Sequence, residues 1–175
     1  MTIQARLNAV LCSLTLLIGF GLCAPSVIAA QKPTVRVDWT DPSQFSEMQN
    51  RSGFNQTSPK VWLGEFSSTI RRHARRVLET GQSLSVTITD VTLAGTLRSG
   101  SRTSGVRVVD RNTPPRIKLS FTLTGADGQI LLNGDRDLGS PNSMSPGLAD
   151  SSNPYIHEDR LLIEWMDREF GSHED

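Results

Sequence analysis

Alternating apolar and polar residues predict strands in three parts of the chain. Apolar residues alternate with polar ones in TVRVDW (34–39) and in SLSVTITDVTLAG (83–95), as in a strand with one buried face. A third alternating stretch, RIKLSFTLT (116–124), is followed by an Asp-Gly turn and by ILLNG (130–134). That order predicts a β-hairpin. One solvent-exposed face on each strand indicates a mostly antiparallel sheet.

Two segments repeat apolar residues with the period of an α-helix. The first begins at Ser58-Pro59, a favoured N-cap followed by a proline that suits the first turn, and Gly81 marks its end. Its apolar face carries Trp62, Leu63, Phe66, Ile70, His73, Ala74 and Val77. The second begins at Asn153-Pro154 and ends at Gly171. Together these elements predict a two-layer α+β sandwich, a mostly antiparallel sheet with two helices packed on one face.

Three segments show no such pattern and are predicted to be loops. They are the polar stretch 41–58, the Gly- and Ser-rich stretch 98–105, and the long stretch 139–154 before the last helix. VRVV (106–109) is a short extended segment between the last two. A loop as long as 139–154 is either a functional lid or a mobile connector.

Residues 1–30 have the pattern of a cleaved secretory signal peptide. Arg6 precedes an apolar run, and small residues lead to Ala29-Ala30. The run is short for a membrane span, and no basic stop-transfer segment follows it. A lipoprotein alternative at Cys23 fits poorly, because the large Leu22 precedes that cysteine. Cleavage would leave residues 31–175 as a single domain with no transmembrane segment.

Both cysteines, Cys12 and Cys23, lie in this leader, so the mature chain has no thiol, disulfide or thiolate ligand. The dipeptide His157-Glu158 matches the first two residues of the zinc protease motif His-Glu-x-x-His. Leu161 occupies the position of the second histidine, so the motif is incomplete. The three histidines are scattered and support no Ser-His-Asp triad. We expect neither a metal site nor a cofactor.

Charge is divided along the sequence. Residues 60–118 carry eleven Lys and Arg against four Asp and Glu, whereas residues 127–175 carry three against eleven. Four arginines, Arg71, Arg72, Arg75 and Arg76, lie on the helix face opposite the apolar one. Such a face is most often solvated, and the alternative is contact with an envelope protein or an anionic surface such as lipid headgroups. We expect no nucleic acid, because the chain is exported and no aromatic residues are interleaved.

Three charged residues stand where charges need partners and are the candidates for a ligand-binding site. Asp90 ends the alternation of its strand on the face that should be buried, Arg116 directly follows two prolines, and Glu158 lies on the packed face of the last helix. The alternative for each of the three residues is a structural role, in which its charge is paired within the fold. We expect Glu158 or Glu169 to pair with an arginine from residues 71–116, with Arg116 as first choice.

Three longer motifs together resemble a bacterial family of exported proteins, the domain-of-unknown-function family 3016. They are LSVTITDVTLAG, PPRIKLSFTLTGADGQILLNGDRDL and HEDRLLIEWMDREF. The resemblance runs from residue 35 to residue 170 and implies a bacterial, periplasmic protein. It implies no activity and no catalytic residues, because the family has none to transfer.

These observations favour a periplasmic protein that acts by binding, in envelope maintenance or assembly, rather than by catalysis. Two alternatives stay open: a hydrolase that uses acidic residues near the 139–154 loop, and a small-ligand carrier. A pocket that gathered two or more of Asp90, Arg116, His157 and Glu158 would favour an enzyme. A smooth surface there would favour a binding protein.

The leader yields the first prediction. The exported protein should begin near Ala30 or Gln31, because small residues at the end of the apolar run suit signal peptidase. Intact-mass measurement of the protein recovered from the periplasm checks this, and a mass that still includes residues 1–29 would contradict it.

Overall fold

A computed structural model describes residues 31–49, 58–98, 106–109, 112–139, 147–148 and 153–171. The predicted signal peptide therefore lies outside the described residues. In chain order the elements are β1 (Thr34–Trp39), a 3-10 turn (Pro42–Gln44), α1 (Ser46–Gln49), α2 (Pro59–Val77), β2 (Ser83–Thr92), β3 (Thr96–Arg98), β4 (Val106–Val109), β5 (Arg116–Thr124), β6 (Ile130–Gly139), β7 (Gly147–Leu148) and α3 (Ile156–Phe170).

The main sheet has the strand order β1-β2-β5-β6. β2, β5 and β6 pair antiparallel, as predicted, whereas β1 pairs parallel with β2 because α2 carries the chain back across the sheet between them. The predicted hairpin is confirmed, and Gly128 in its turn has a φ of +82° that favours glycine. A second, small sheet of β3, β4 and β7 was not predicted.

The two long helices cover one face of the main sheet, which confirms the two-layer α+β arrangement. The buried strand residues that face them are Leu84, Val86, Ile88, Ile117, Leu119, Phe121 and Leu123. Trp62 of α2 and Trp165 of α3 are completely buried against this face. Phe121, Trp165 and Phe170 meet edge to face with ring centroids 5.5–5.6 Å apart, which fastens α3 to β5.

Both helices are shorter than the sequence predicts. α2 ends at Val77 rather than at Gly81, because Leu78 already has an extended backbone while its N–H still bonds to the Ala74 carbonyl. Gly81, with a φ of +84°, instead forms the turn into β2. α3 begins at Ile156, since the side chain of Asn153 accepts a hydrogen bond from the Tyr155 N–H and shapes the turn before the helix.

The predicted loop 41–58 is partly helical. Asp41 accepts a hydrogen bond from the Ser43 N–H and caps the 3-10 turn, and α1 follows. Phe45, which joins the two, is 1% exposed and lies 6.1 Å from the Trp62 ring. Part of each of the other predicted loops, 98–105 and 139–154, forms β3 and β7, and much of both lies outside the described residues.

One ion pair joins α3 to the edge strand β6. Arg136 donates to both carboxylate oxygens of Glu169, at 2.5 and 2.9 Å, and its guanidinium carbon lies 5.1 Å from the Phe121 ring centroid. The expected pairing of Glu169 or Glu158 with Arg116 is wrong. Strand alternation points Arg116 away from the helices, because its neighbour Ile117 faces them.

A double-mutant cycle on Glu169→Gln and Arg136→Met measures this pair. Because Glu169 is largely covered and Arg136 about one-third exposed, we expect a coupling free energy of about 1–2 kcal/mol, between exposed and buried pairs. Denaturant unfolding of the four proteins gives the value. A coupling indistinguishable from zero would mean that α3 is held on β6 by its aromatic contacts alone.

Candidate functional site

Asp90 faces the open side of the sheet, not the core, which corrects its predicted location. A β-bulge between Ile88 and Asp90 shifts the alternation by one residue, so that Val91 takes the buried position. The Asp90 carboxylate accepts hydrogen bonds from the Ser46 N–H at 2.7 Å and the Ser46 hydroxyl at 2.8 Å. It therefore caps α1, and Lys118 lies 3.5 Å away. Partial burial raises the pKa of Asp90, but these hydrogen bonds and the Lys118 charge outweigh it and lower the pKa.

Arg116 lies on the same open face, in an exposed pair with Asp137. Its Nε and Nη2 donate to the two carboxylate oxygens at 2.6 and 2.5 Å, and these bonds hold the pKa of Asp137 below its usual range. A shallow cleft of about 520 Å³ adjoins the pair. Its lining is Thr92, Asn112, Thr113, Pro114, Pro115, Arg116, Asp137 and Gly139. Of the four residues whose gathering would favour an enzyme, only Arg116 is in this cleft.

Glu158 is buried on the other side of the sheet, away from Asp90 and Arg116. Glu158 lies in the first turn of α3 and is 1% exposed. Oε1 accepts a hydrogen bond from the Ala94 N–H at 2.6 Å, just beyond the end of β2. Oε2 is also buried and has no hydrogen-bond partner within the described part of the chain. The three candidates therefore do not form one site.

A second buried carboxylate, Glu47 of α1, lies beside the first. Its Oε2 accepts from the Leu93 N–H at 2.8 Å, and its Oε1 accepts from Arg107 Nη2 at 2.8 Å. Arg107 Nη1 also donates to the carbonyls of Ala94 and Gly95, at 3.0 and 2.9 Å. We name this set of residues the polar junction: Glu47, Leu93, Ala94, Gly95, Arg107 and Glu158.

The backbone at Gly95 makes this arrangement possible. Gly95 has a φ of +72°, and a Cβ there would clash with the carbonyl oxygen of Val108 on β4. Its N–H donates to the Thr113 carbonyl at 2.8 Å. Only glycine lets the chain turn from β2 into β3 so close to β4, where Arg107 can reach the carbonyls of the turn.

Burial shifts the pKa values of Glu158 and Arg107 in the polar junction, because it removes these charged groups from water. Burial raises the pKa of Glu158, opposed by the hydrogen bond from Ala94 and by the charge of Arg107. Burial lowers the pKa of Arg107, opposed by the charge of Glu158. A guanidinium keeps its proton at any physiological pH, so Arg107 supplies the positive charge that Glu47 and Glu158 need.

The polar junction is closed to solvent and joins separate elements of the fold. A general acid must come within hydrogen-bond reach of its substrate, but Glu158 is 1% and Glu47 6% exposed. The hydrogen bonds instead join four separate elements, α1, the end of β2, β4 and α3. Glu158 therefore links the start of α3 to the end of β2.

Sequence reasoning missed Glu47 and Arg107. Glu47 lies between Phe45 and Met48 in segment 41–49, the first half of the polar stretch, and Phe45 was the signal that this segment returns to the core. Arg107 interrupts the apolar run VRVV, which is the pattern of a strand with one polar side. The meeting of the two is a long-range contact that spacing alone does not reveal.

The arginine face, Arg71, Arg72, Arg75 and Arg76, is exposed along the outer side of α2, as predicted. Arg72 donates to the Thr69 hydroxyl at 3.0 Å. Among the described residues, none of the four forms an ion pair. Lys60 near the start of the same helix is also exposed. These side chains form a solvated cationic surface.

The histidines provide no site in the parts of the chain that are described. His73, on the packed side of α2, bonds through Nε2 to Asp167 of α3 at 2.6 Å. His157 is half-buried, and burial together with the Arg160 charge lowers its pKa. No three His, Cys, Asp or Glu side chains of the described residues lie together as metal ligands. No helix in the same ranges is long and apolar enough to cross a membrane.

The variant Glu158→Gln tests whether burial raises the pKa of the Glu158 carboxylate, through the pH dependence of the free energy of unfolding. Because the folded protein raises the pKa of Glu158, it binds this proton more tightly than the unfolded chain does. The free energy of unfolding should therefore fall as pH rises above the ordinary glutamate value of about 4.3. Glutamine cannot titrate, so the variant should gain stability relative to wild type between pH 4 and pH 7.

Urea denaturation at several pH values measures this difference. Glu164→Gln removes an exposed carboxylate from the same helix and is the matched control. Parallel pH profiles for Glu158→Gln and wild type would show that Glu158 ionises as freely in the fold as in the unfolded chain.

Comparison with known proteins assigns the chain to a family. No curated protein sequence matches the chain. The model of the family described as "Protein of unknown function (DUF3016)" matches residues 33–168, which run from just before β1 to within two residues of the end of α3. The match covers far more than half of the chain, so the protein belongs to the DUF3016 family of proteins of unknown function.

Proposed function

We propose that the protein is a non-catalytic binding protein of the bacterial periplasm, which docks on an acidic surface of the cell envelope through the arginine face of α2. One observation carries this proposal: the four arginines are exposed together, with no ion pair to any described residue. The leader-like residues 1–30 support export. The process in which such a protein would act is the maintenance or assembly of the envelope.

The contrast with cations elsewhere strengthens the proposal. Five basic side chains on the strands lie within salt-bridge distance of a carboxylate. The pairs are Arg36–Asp38, Arg107–Glu47, Arg116–Asp137, Lys118–Asp90 and Arg136–Glu169. A basic side chain that already pairs with a carboxylate has little net positive charge left to attract a partner. The positive charge available for binding is concentrated on α2.

The two alternatives have less support. A hydrolase needs acidic groups that reach a substrate, but Glu158 is buried and Asp90 caps α1. A small-ligand carrier would use the cleft beside Arg116, whose guanidinium already binds Asp137 through two hydrogen bonds. A ligand would have to displace that carboxylate. Binding through an exposed surface agrees better with this geometry.

Sedimentation with washed bacterial envelope fragments tests the proposal. The protein of residues 31–175 should pellet with the fragments at low salt and be released as salt screens its charges. Arg71→Gln/Arg75→Gln should lose most of this binding, because it removes half of the arginine face.

The matched control is Arg36→Gln/Lys118→Gln, which removes two cations from the open face of the sheet and should bind like wild type. Equal losses in the two double variants would show that only net charge matters. Full binding by Arg71→Gln/Arg75→Gln would refute the arginine face as the docking surface.

A further inference from the structure

We infer that the acidic surface is an anionic phospholipid bilayer, and that α2 and α3, the helical layer, lie against its headgroups. This inference rests on the proposed function and names the partner for the arginine face.

The four arginines form a compact cluster near the C-terminal end of α2, and Lys60 lies at the opposite end of the helix. α2 has 19 residues and is about 28 Å long. At 100° per residue, Lys60, Arg71 and Arg75 fall within about 60° of one another, and Arg72 and Arg76 form the adjacent row. The four arginines span about 140° of the helix surface, centred on its outer side, so their long side chains can reach a flat surface tangent to that side.

Arginine is suited to phosphate, because its planar guanidinium donates two parallel hydrogen bonds to phosphate oxygens. Arg71 and Arg75 are one helical turn apart, as are Arg72 and Arg76. Lipid headgroups diffuse in the plane of a bilayer, so phosphates can move to the arginines wherever their side chains point. The match requires no fixed spacing in the partner.

The rest of the exposed face argues against a specific protein partner. The exposed residues of α2 are Lys60, Val61, Gly64, Glu65, Ser68, Arg71, Arg72, Arg75 and Arg76. They include no aromatic residue and one aliphatic residue. Specific protein interfaces are built around a desolvated apolar or aromatic centre, which this face lacks. A fluid, uniformly charged bilayer does not need one.

Two exposed aliphatic residues lie at the beginnings of the two helices. Val61 of α2 is 50% exposed and Ile156 of α3 is 37% exposed. Phe66 and Tyr155, whose rings are 6.0 Å apart, bring these ends of the helices together within the helical layer. Exposed aliphatic side chains beside cations are typical of surfaces that rest on headgroups and reach the acyl boundary.

The opposite face of the molecule favours this orientation. On the open face of the sheet Asp38, Asp90, Asp135 and Asp137 accompany Arg36, Arg116 and Lys118. That face has no excess of positive charge and would gain nothing from anionic lipid. The exposed charges of the helical layer do have a positive excess: Lys60, Arg71, Arg72, Arg75, Arg76, Arg160 and Arg168 against Glu65, Glu164 and Asp167. The helical layer is therefore the side that turns to the bilayer.

Flotation with protein-free vesicles tests the inference directly. Vesicles of phosphatidylglycerol and phosphatidylcholine should bind the protein of residues 31–175 at 50 mM salt, and pure phosphatidylcholine vesicles should not. Each basic residue near an anionic surface contributes about fivefold in affinity, so Arg71→Gln/Arg75→Gln should bind about thirty-fold more weakly. Arg36→Gln/Lys118→Gln should bind like wild type.

Val61→Ser/Ile156→Ser adds a second readout, since the aliphatic contact is not screened by salt. This variant should detach from the vesicles at a lower salt concentration than wild type. Circular dichroism of each variant confirms that it is folded. No binding to the phosphatidylglycerol vesicles, or equal weakening in both charge variants, would overturn the bilayer as the partner.

The two proposals can fail separately. If envelope fragments bind the protein in an arginine-dependent way but protein-free vesicles do not, the bilayer is wrong and the acidic partner is another component of the envelope. If neither binding depends on Arg71 and Arg75, the proposed function itself is wrong.

Discussion

The fold depends on neutralising charges that it has buried. Arg107 lies between the carboxylate of Glu47 and the carbonyls of Ala94 and Gly95, and its charge also acts on Glu158. Removing one partner from such a buried set leaves an uncompensated charge, at a typical cost of about 3–5 kcal/mol. The polar junction therefore fixes where α1, β4 and α3 meet the end of β2.

The polar junction also supports the surface proposed for docking. Glu47 and the cap from Asp90 hold α1 in place, and Phe45 just before α1 packs on Trp62 of α2. Trp62 lies on the buried side of the helix whose outer side carries the arginines. The interior charges are thus paired to build the scaffold, while the cations of α2 stay in solvent. The buried charged groups therefore stabilise the fold, and the exposed arginines of α2 are available to a partner.

The sequence predicts what depends on local periodicity and misses what depends on distant partners. The apolar faces of β2, β5, α2 and α3 follow alternation or helical repeat, so the sandwich and the exposed arginines were correctly predicted. Asp90 was misplaced because a β-bulge reverses the side-chain alternation without changing the composition. The Arg136–Glu169 pair and the meeting of Glu47 with Arg107 join elements far apart in sequence, and many charged residues could have made either contact.

Native-state hydrogen exchange at two amides tests most directly whether Glu47 and Glu158 are structural. The amides of Leu93 and Ala94 lie beyond the end of β2, and they donate to the carboxylates of Glu47 and Glu158. These carboxylates are the hydrogen-bond acceptors of the two amides, so slow exchange at both reports a persistent polar junction. Both should exchange about as slowly as the amides of the central strand β5. Exchange at the rate of an unprotected peptide would show that the two carboxylates are not fixed in the interior.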